Sequence, residues 1–404
     1  MASFSNVPFD ITEKIIDTLQ DDLSALKSCS LTCQLLLPLC RKHMFQSLTL
    51  FSFPSQAVFV FAPPQWYHTR HPFPLLRNLL DSNPGIADYV QNLIYETGTS
   101  LKDSDQVLRI LETFRRVQSL EVVGVSSDWD EMPPTLTGSI SRIIQPSVTH
   151  LDIRVFGDVS ITIFIPCVNL ASLTLSAIYG TVVDIDKLKK ISPGVVPQLQ
   201  SFHFGNNCSR YVMCLVKARY RNDLPVLDFS NLRTLNVRVD NRLDLGAAQA
   251  LTKVARMLET LHYTVRHFAN GYKGLAASIN PSSFSTLKRL YFHYYINHGA
   301  QDPLYGINDE LKALSDFNVI EEIHLEITID IEFPRNTSNE WGNLDSILAA
   351  GFPFLKTLTL SVTDFGFPTD GSEIIFLERL EKLPEEQFPL LSTNSRVVFK
   401  FTRV

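Results

Sequence analysis

One short phrase recurs along this chain and limits what it can fold into: apolar-x-x-Leu-x-apolar. It runs from Val90 to Tyr95, Val117 to Val122, Val148 to Ile153, Leu170 to Leu175 and Leu199 to Phe204. It returns at Leu232 to Val237, Leu258 to Tyr263, Leu287 to Phe292, Ile320 to Leu325 and Leu355 to Leu360, and Phe45 to Leu50 fits the same frame. In a chain that is 45% apolar such a loose pattern also arises by chance. Two features lift it above chance. The fourth position is Leu in nine of the eleven phrases, and after residue 90 they recur every 22 to 35 residues, the period of stacked repeat units.

Helix-prone stretches lie between the phrases, at Asp105 to Arg116, Ala247 to Met257, Asn308 to Phe317, Leu344 to Ala350 and Glu373 to Leu383. A short strand followed by a helix or turn cannot bury its apolar side alone, so the units must stack. The expected fold class is α/β, with the phrases side by side in a curved parallel sheet. Ten strands at about 4.8 Å give a sheet roughly 45 Å wide, ample for a protein partner. Residues 51–75, rich in Phe and Pro, are expected to be a linker or insertion, with Pro63 to Tyr67 at a loop tip and a lid as the alternative, and residues 76–404 to form the repeat array.

Alternate side chains of a strand point to opposite faces. If the Leu positions face the core, the residues just after them line the open face: Glu121, Asp152, Thr174, His203, Asn236, His262, Tyr291, His324 and Thr359. Two residues further on comes a second column: Val123, Arg154, Ser176, Gly205, Arg238, Thr264, His293, Glu326 and Ser361. Four of the chain's ten histidines fall in these eighteen positions. The candidate capture surface is therefore His203, Arg238, His262, Tyr291, His293, His324 and Glu326, and histidine would make binding there pH-sensitive. The competing expectation is an ordinary solvated sheet face. Metal binding is disfavoured, because same-column residues two strands apart sit about 9.6 Å from one another.

The charged fraction is 19% and the net charge −6, a composition that suits a folded protein and disfavours a nucleic-acid surface. Six cysteines are too few for a disulfide scaffold. There is no basic n-region followed by an apolar h-region, and no apolar run approaches a membrane span. The expected location is cytoplasmic, nuclear or both.

The segment from Val7 to Leu50 reads as three short helices. Ile11, Ile15, Ile16 and Leu19 recur at helical spacing, with Pro8 in the first turn. Asp21-Asp22 offers an N-cap to a second helix carrying Leu23, Leu26 and Cys29, and Ser30 to a third carrying Leu31, Leu35, Leu36 and Leu39. Pro38 is expected to kink that third helix. So small a module, with so much apolar stripe, wants a partner.

These residues resemble the F-box family, in the form found in mushroom-type fungi. The family opens with Leu-Pro-x-Glu-(Ile/Leu) and paired Ile/Leu positions; here stand Val7-Pro8-Phe9-Asp10-Ile11, then Ile15-Ile16 and Leu19. Its middle, Cys-Ser-Leu-x-Cys, is matched by Cys29 to Cys33. Its close, Arg-x-His-(Leu)-Phe and a short strand, is matched by Arg41 to Phe45 and Ser47 to Leu50. Val7 and Asp10 depart conservatively, and Leu36 stands where the family usually has Trp. The resemblance implies an F-box domain over residues 1–50 that docks a Skp-type adaptor of a cullin–RING ubiquitin ligase. It assigns the contact to Val7, Pro8, Ile11, Ile15, Ile16, Leu19 and Leu23. The alternative is that these side chains are simply core. The array resembles leucine-rich repeats only in part: the Asn or Cys expected three residues past the phrase stands at Asn207 alone, so irregular repeats without an Asn ladder are expected.

No Gly-x-Ser-x-Gly, Gly-Lys-Thr phosphate loop, Gly-x-Gly-x-x-Gly or His-Glu-x-x-His occurs. Carboxylate pairs such as Glu385/Glu386 read as solvated loops. No cofactor or catalytic residue is assigned. The leading expectation is a non-catalytic substrate receptor for an unidentified protein. A ubiquitin-independent scaffold and an α/β enzyme with a site assembled from distant residues are the alternatives.

Overall fold

The structure, a computed structural model, describes residues 8–51, 73–97, 104–180, 185–266, 274–296, 304, 306–315, 318–330, 340–365 and 380–403. Val7, Pro63 to Tyr67 and most of the 51–75 segment lie outside the described residues. The chain is α/β and divides into two compact units, Met1–Leu170 and Ala171–Val404.

The first unit opens with α1 (Phe9–Asp17), α2 (Leu23–Thr32) and α3 (Leu36–Met44). Asp22 caps α2 by accepting from the Ala25 N–H at 2.9 Å. Ile16, Leu26, Leu36, Leu39 and Cys40 form the centre of this module, flanked by partly buried Leu19, Leu23, Cys29, Cys33 and Met44. The expected third helix from Ser30 is corrected: Leu31 ends up on α2, and α3 begins at Leu36. Pro38 therefore sits in the first turn of α3, where its N–H has no helical acceptor in any case. No earlier turn of α3 precedes the proline for it to kink.

After α3 come β1 (Ser47–Phe51), α4 (Phe73–Ser82), a 3-10 turn (Pro84–Tyr89) and β2 (Asn92–Glu96). α5 (Ser104–Leu111), β3 (Ser119–Asp128), α6 (Pro134–Ser147) and β4 (His150–Gly157) complete the strands and helices of this unit. β1, β2, β3 and β4 pair in that order, all parallel. A register shift interrupts β3 between Val123 and Ser127. There Gly124 passes so close to the Val155 carbonyl and the Phe156 ring that any side chain would collide with them.

The second unit runs β5 (Ser172–Ile178), α7 (Ile185–Leu188), β6 (Ser201–Phe204), α8 (Ser209–Lys217), β7 (Thr234–Val239), α9 (Arg242–Val254) and β8 (Thr260–Arg266). Two 3-10 turns lead to β9 (Arg289–Ile296), followed by α10 (Ile307–Leu314), β10 (Glu322–Asp330), α11 (Glu340–Gly351) and β11 (Thr357–Phe365). α12 (Leu383–Gln387), α13 (Pro389–Thr393) and β12 (Val398–Arg403) close the unit. Each strand pairs in parallel with its sequence neighbours. Every recurring phrase ends in a strand, so the period-2 alternation set by its Leu is the register of the sheet.

One core column reads Leu173, Phe202, Leu235, Leu261, Leu290, Ile323, Leu358 and Phe399 across the eight strands. All but Phe399 are buried, and each fully buried member contributes about 1.5–3 kcal/mol. At most of the phrases the carbonyl two residues before the fourth position accepts two N–H groups from the following repeat, whereas that of Lys356 takes Val398 alone. The Arg233 carbonyl takes Glu259 and Thr260 at 2.8 and 2.9 Å, and the Glu259 carbonyl takes Lys288 and Arg289 at 2.9 and 3.1 Å. Side chains of the same row add alternating charge, with Arg233 Nη1 2.9 Å from Glu259 Oε1 and Lys356 Nζ 2.6 Å from Glu321 Oε2.

Where an Asn ladder would satisfy turn backbones, buried carboxylates stand on the helices. Asp345 of α11 accepts from the N–H groups of Leu390 and Leu391 at 2.9 and 3.0 Å. Glu310 of α10 accepts from those of Gly274 and Ala276. Asp244 of α9 takes the Asp240 and Asn241 N–H groups at 2.9 and 3.1 Å together with the Ser209 hydroxyl. Burial pushes the Asp244 and Glu310 carboxyls above the usual carboxylate range, against the pull of these donors.

Candidate functional site

Two surfaces carry the residues singled out by the sequence. The first lies on the N-terminal helices. Pro8 forms the N-cap of α1 and is exposed; Phe9, Ile11 and Ile15 on that helix are 56%, 47% and 50% exposed. Ile16 is corrected from docking contact to core: one position round the helix from Ile15, it points inward and is buried against Leu26, Leu36, Leu39 and Cys40. Leu19 and Leu23 are half-buried and pack against that core, so they serve the module more than its surface. Val7 lies outside the described residues.

Phe9, Leu31 and Leu35 were missed. Leu31, at the end of α2, is 88% exposed, and Leu35 also faces solvent. Three uncovered apolar residues on one nine-residue helix depart from the usual burial of such stripes. α1 is held to α3 by His43 Nε2, 2.7 Å from Asp17 Oδ1, and by Lys42 Nζ, 3.2 Å from Glu13 Oε1. Both His43 and Lys42 fall in the Arg41 to Phe45 motif. Leu36 is buried, so that position belongs to the inside of the module and not to its exposed face.

The second surface is the open face of the sheet in the unit Ala171–Val404. Register places Thr174, His203, Asn236, His262, Tyr291, His324 and Thr359 in one row, as the alternation predicts. The His262 and Tyr291 rings stack at 4.2 Å between centroids and 7° between planes; Tyr291 and His324 stack at 4.6 Å and 12°. Strand spacing of about 4.8 Å is what allows three rings to lie face to face. Their rims, bearing ring nitrogens and a phenol oxygen, form a half-buried ribbon.

In the next row Arg238, Thr264, His293 and Glu326 are in register. Arg238 Nε sits 3.1 Å from Asp240 Oδ2, and His293 Nε2 lies 3.9 Å from Glu326 Oε1 and 3.3 Å from Thr328 Oγ1. His203 stands two strands from His262 in the first row. Sequence reasoning passed over Arg289 and Glu322, one alternation before Tyr291 and His324. Glu322 Oε1 is 2.7 Å from His324 Nε2, and Arg289 Nε donates to Thr260 Oγ1 at 3.2 Å. The same period-2 count would have found them. Burial first, then His203, Arg289 and His324, hold the His262 imidazole below its usual pKa. Burial and the Glu322 carboxylate raise the Tyr291 phenol.

The unit Met1–Leu170 carries a tighter polar group on its open face. Arg154 Nη2 lies 2.5 Å from Asp152 Oδ2, and its Nη1 lies 3.5 Å from Glu121 Oε1. Burial raises the Glu121 carboxyl, and Arg154 opposes the shift. These mutually satisfied charges leave that stretch less to offer a partner.

No protein-family model matches the chain, and no curated protein matches it. Among the described residues no helix is long and apolar enough to cross a membrane, and no group of three or more His, Cys, Asp and Glu side chains is placed to hold a metal ion.

Proposed function

We propose that this chain is an F-box protein, the substrate-recognition subunit of a cullin–RING ubiquitin ligase of the SCF type. In this reading α1 to α3 dock a Skp-type adaptor, and the strands and helices beyond them form an irregular leucine-rich-repeat-like solenoid with a curved sheet that captures the target. The receptor contributes proximity: it holds a target lysine near a charged conjugating enzyme, and the ligase supplies the chemistry. The observation that carries the reading is Phe9, Ile11 and Ile15 standing open on α1, at and beside positions to which the family resemblance assigns adaptor contact. The protein acts in the cytoplasm, the nucleus or both.

The His262–Tyr291–His324 ribbon with Arg238, His293 and Glu326 is the target-facing surface of this receptor. Its half-buried aromatic area, with Arg238 in the adjoining row, suits protein recognition, where aromatic and Arg side chains carry most of the binding energy. Affinity purification of the tagged full chain from fungal cells tests the assignment. Recovery of adaptor and cullin together is the expected result. Recovery of neither would leave a ubiquitin-independent scaffold as the better reading.

A further inference from the structure

The last strand of the second unit is unlike the others. Among the described residues β12 pairs with β11 alone. In the inner strands the two core columns are closed: Ile323, Leu325, Leu358 and Leu360 are buried. Their counterparts in β12 are Phe399 and Phe401, and both remain half-exposed, although Phe399 packs on the Phe388 ring at 5.2 Å. Val398 is 56% exposed beside them. At this end of the core two aromatic side chains are in place, and among the described residues no further strand covers them.

The backbone of that edge is also unused. The Val398 N–H donates to the Lys356 carbonyl at 2.8 Å, so it points toward β11. Donor and acceptor directions alternate along a strand. The N–H and C=O groups of Phe399 and Phe401 therefore face away from β11, and among the described residues no strand pairs with them. Unpaired edges of this kind are templates for strand addition unless the protein blunts them.

Charge selects what can be added. Lys400, on the open face between Phe399 and Phe401, is exposed, as is Arg396 just before the strand. Arg403 is engaged by Glu381 at 2.8 Å. A second copy of this chain would bring another Lys400 to the same edge, and like charges placed side by side on a sheet are destabilising. A strand with a carboxylate beside Lys400 and aliphatic residues beside Phe399 and Phe401 meets all three demands: hydrogen bonds, apolar cover and opposite charge.

We infer that the free edge of β12 is a strand-capture site for an extended segment of a partner protein with the pattern apolar-acidic-apolar. The incoming strand continues the parallel sheet by one place, its acidic side chain on the open face and its two apolar side chains over Phe399 and Phe401. Lys400 continues the row of the histidine ribbon, two strands beyond His324 and next to Thr359, and the proposal stands whether or not the adaptor reading holds.

The test uses the full-length chain and two synthetic peptides, acetyl-Thr-Val-Glu-Val-Thr-amide and its Lys-centred counterpart, each fluorescently labelled and followed by anisotropy. The expected result is binding of the Glu peptide at least tenfold tighter than the Lys peptide, with slowed hydrogen exchange at the Phe399 and Phe401 amides. Lys400→Glu, at an exposed position that leaves the core untouched, should reverse the preference. Arg403→Pro, which removes an edge N–H, should weaken both peptides. Equal binding of the two peptides, binding of neither, or binding without protection of β12 overturns the proposal; the cations would then serve only to repel strands.

Discussion

The rings of His262 and Tyr291 lie 4.2 Å apart and 7° from parallel on adjacent strands, with Tyr291 also stacked on His324. Stacked aromatic pairs contribute about 0.5–1.5 kcal/mol each beyond their buried area. A double-mutant cycle with His262→Ala and Tyr291→Ala should give a coupling energy in that range by urea unfolding. Single substitution of Tyr291 should cost about 1–3 kcal/mol, since it removes two stacks and leaves the buried Leu290 and Phe292 in place. Additive effects of the two changes would show that the rings are neighbours without interaction.

Acidification should weaken this unit through His262. Its folded-state pKa is lowered, so between that value and the unfolded value of about 6.5 the unfolded chain binds the extra proton. The stabilisation is complete above about pH 6.5 and is lost as pH falls toward the folded-state pKa. His262→Gln should flatten the fall in melting temperature between about pH 7 and pH 5. An unchanged slope in the variant would remove His262 as the cause.

The carboxylate of Asp345 satisfies two backbone N–H groups at the start of α13 while itself buried. Asp345→Ala leaves both donors orphaned and should cost about 2–4 kcal/mol. Disrupting the exposed pair Arg233–Glu259 should cost under about 1 kcal/mol and depend on salt. Comparable losses at the two places, measured by denaturant unfolding, would contradict the distinction between a buried capping contact and a solvated one.

The open face could be read ahead of the structure because a strand's side-chain period is two, so one Leu per phrase sets the orientation of its neighbours. That is why His203, His262, Tyr291 and His324 fall in one row as expected. β12 escaped the same reading because Arg396 occupies the first apolar place of the phrase. Asp345, Glu310 and Asp244 escaped for another reason. A carboxylate on a helix reads as solvated, and only the packed structure brings it to another segment's free N–H groups or buries it over its own cap. On α1 the spacing marked an apolar stripe without deciding which edge was core. Packing against α2 and α3 turned Ile16 inward and left Ile11 and Ile15 outside.

The most direct measurement is the affinity of the full chain for a purified Skp-type adaptor, compared between wild type and Ile11→Asp/Ile15→Asp. Both side chains already face water, so the variant should fold with an unchanged circular dichroism spectrum. Each isoleucine covered on docking contributes roughly 1–3 kcal/mol, and the double substitution should weaken binding at least about thirtyfold. Equal affinity of the folded variant and the wild type, or no adaptor binding by the wild type, would contradict the assignment of this helix face.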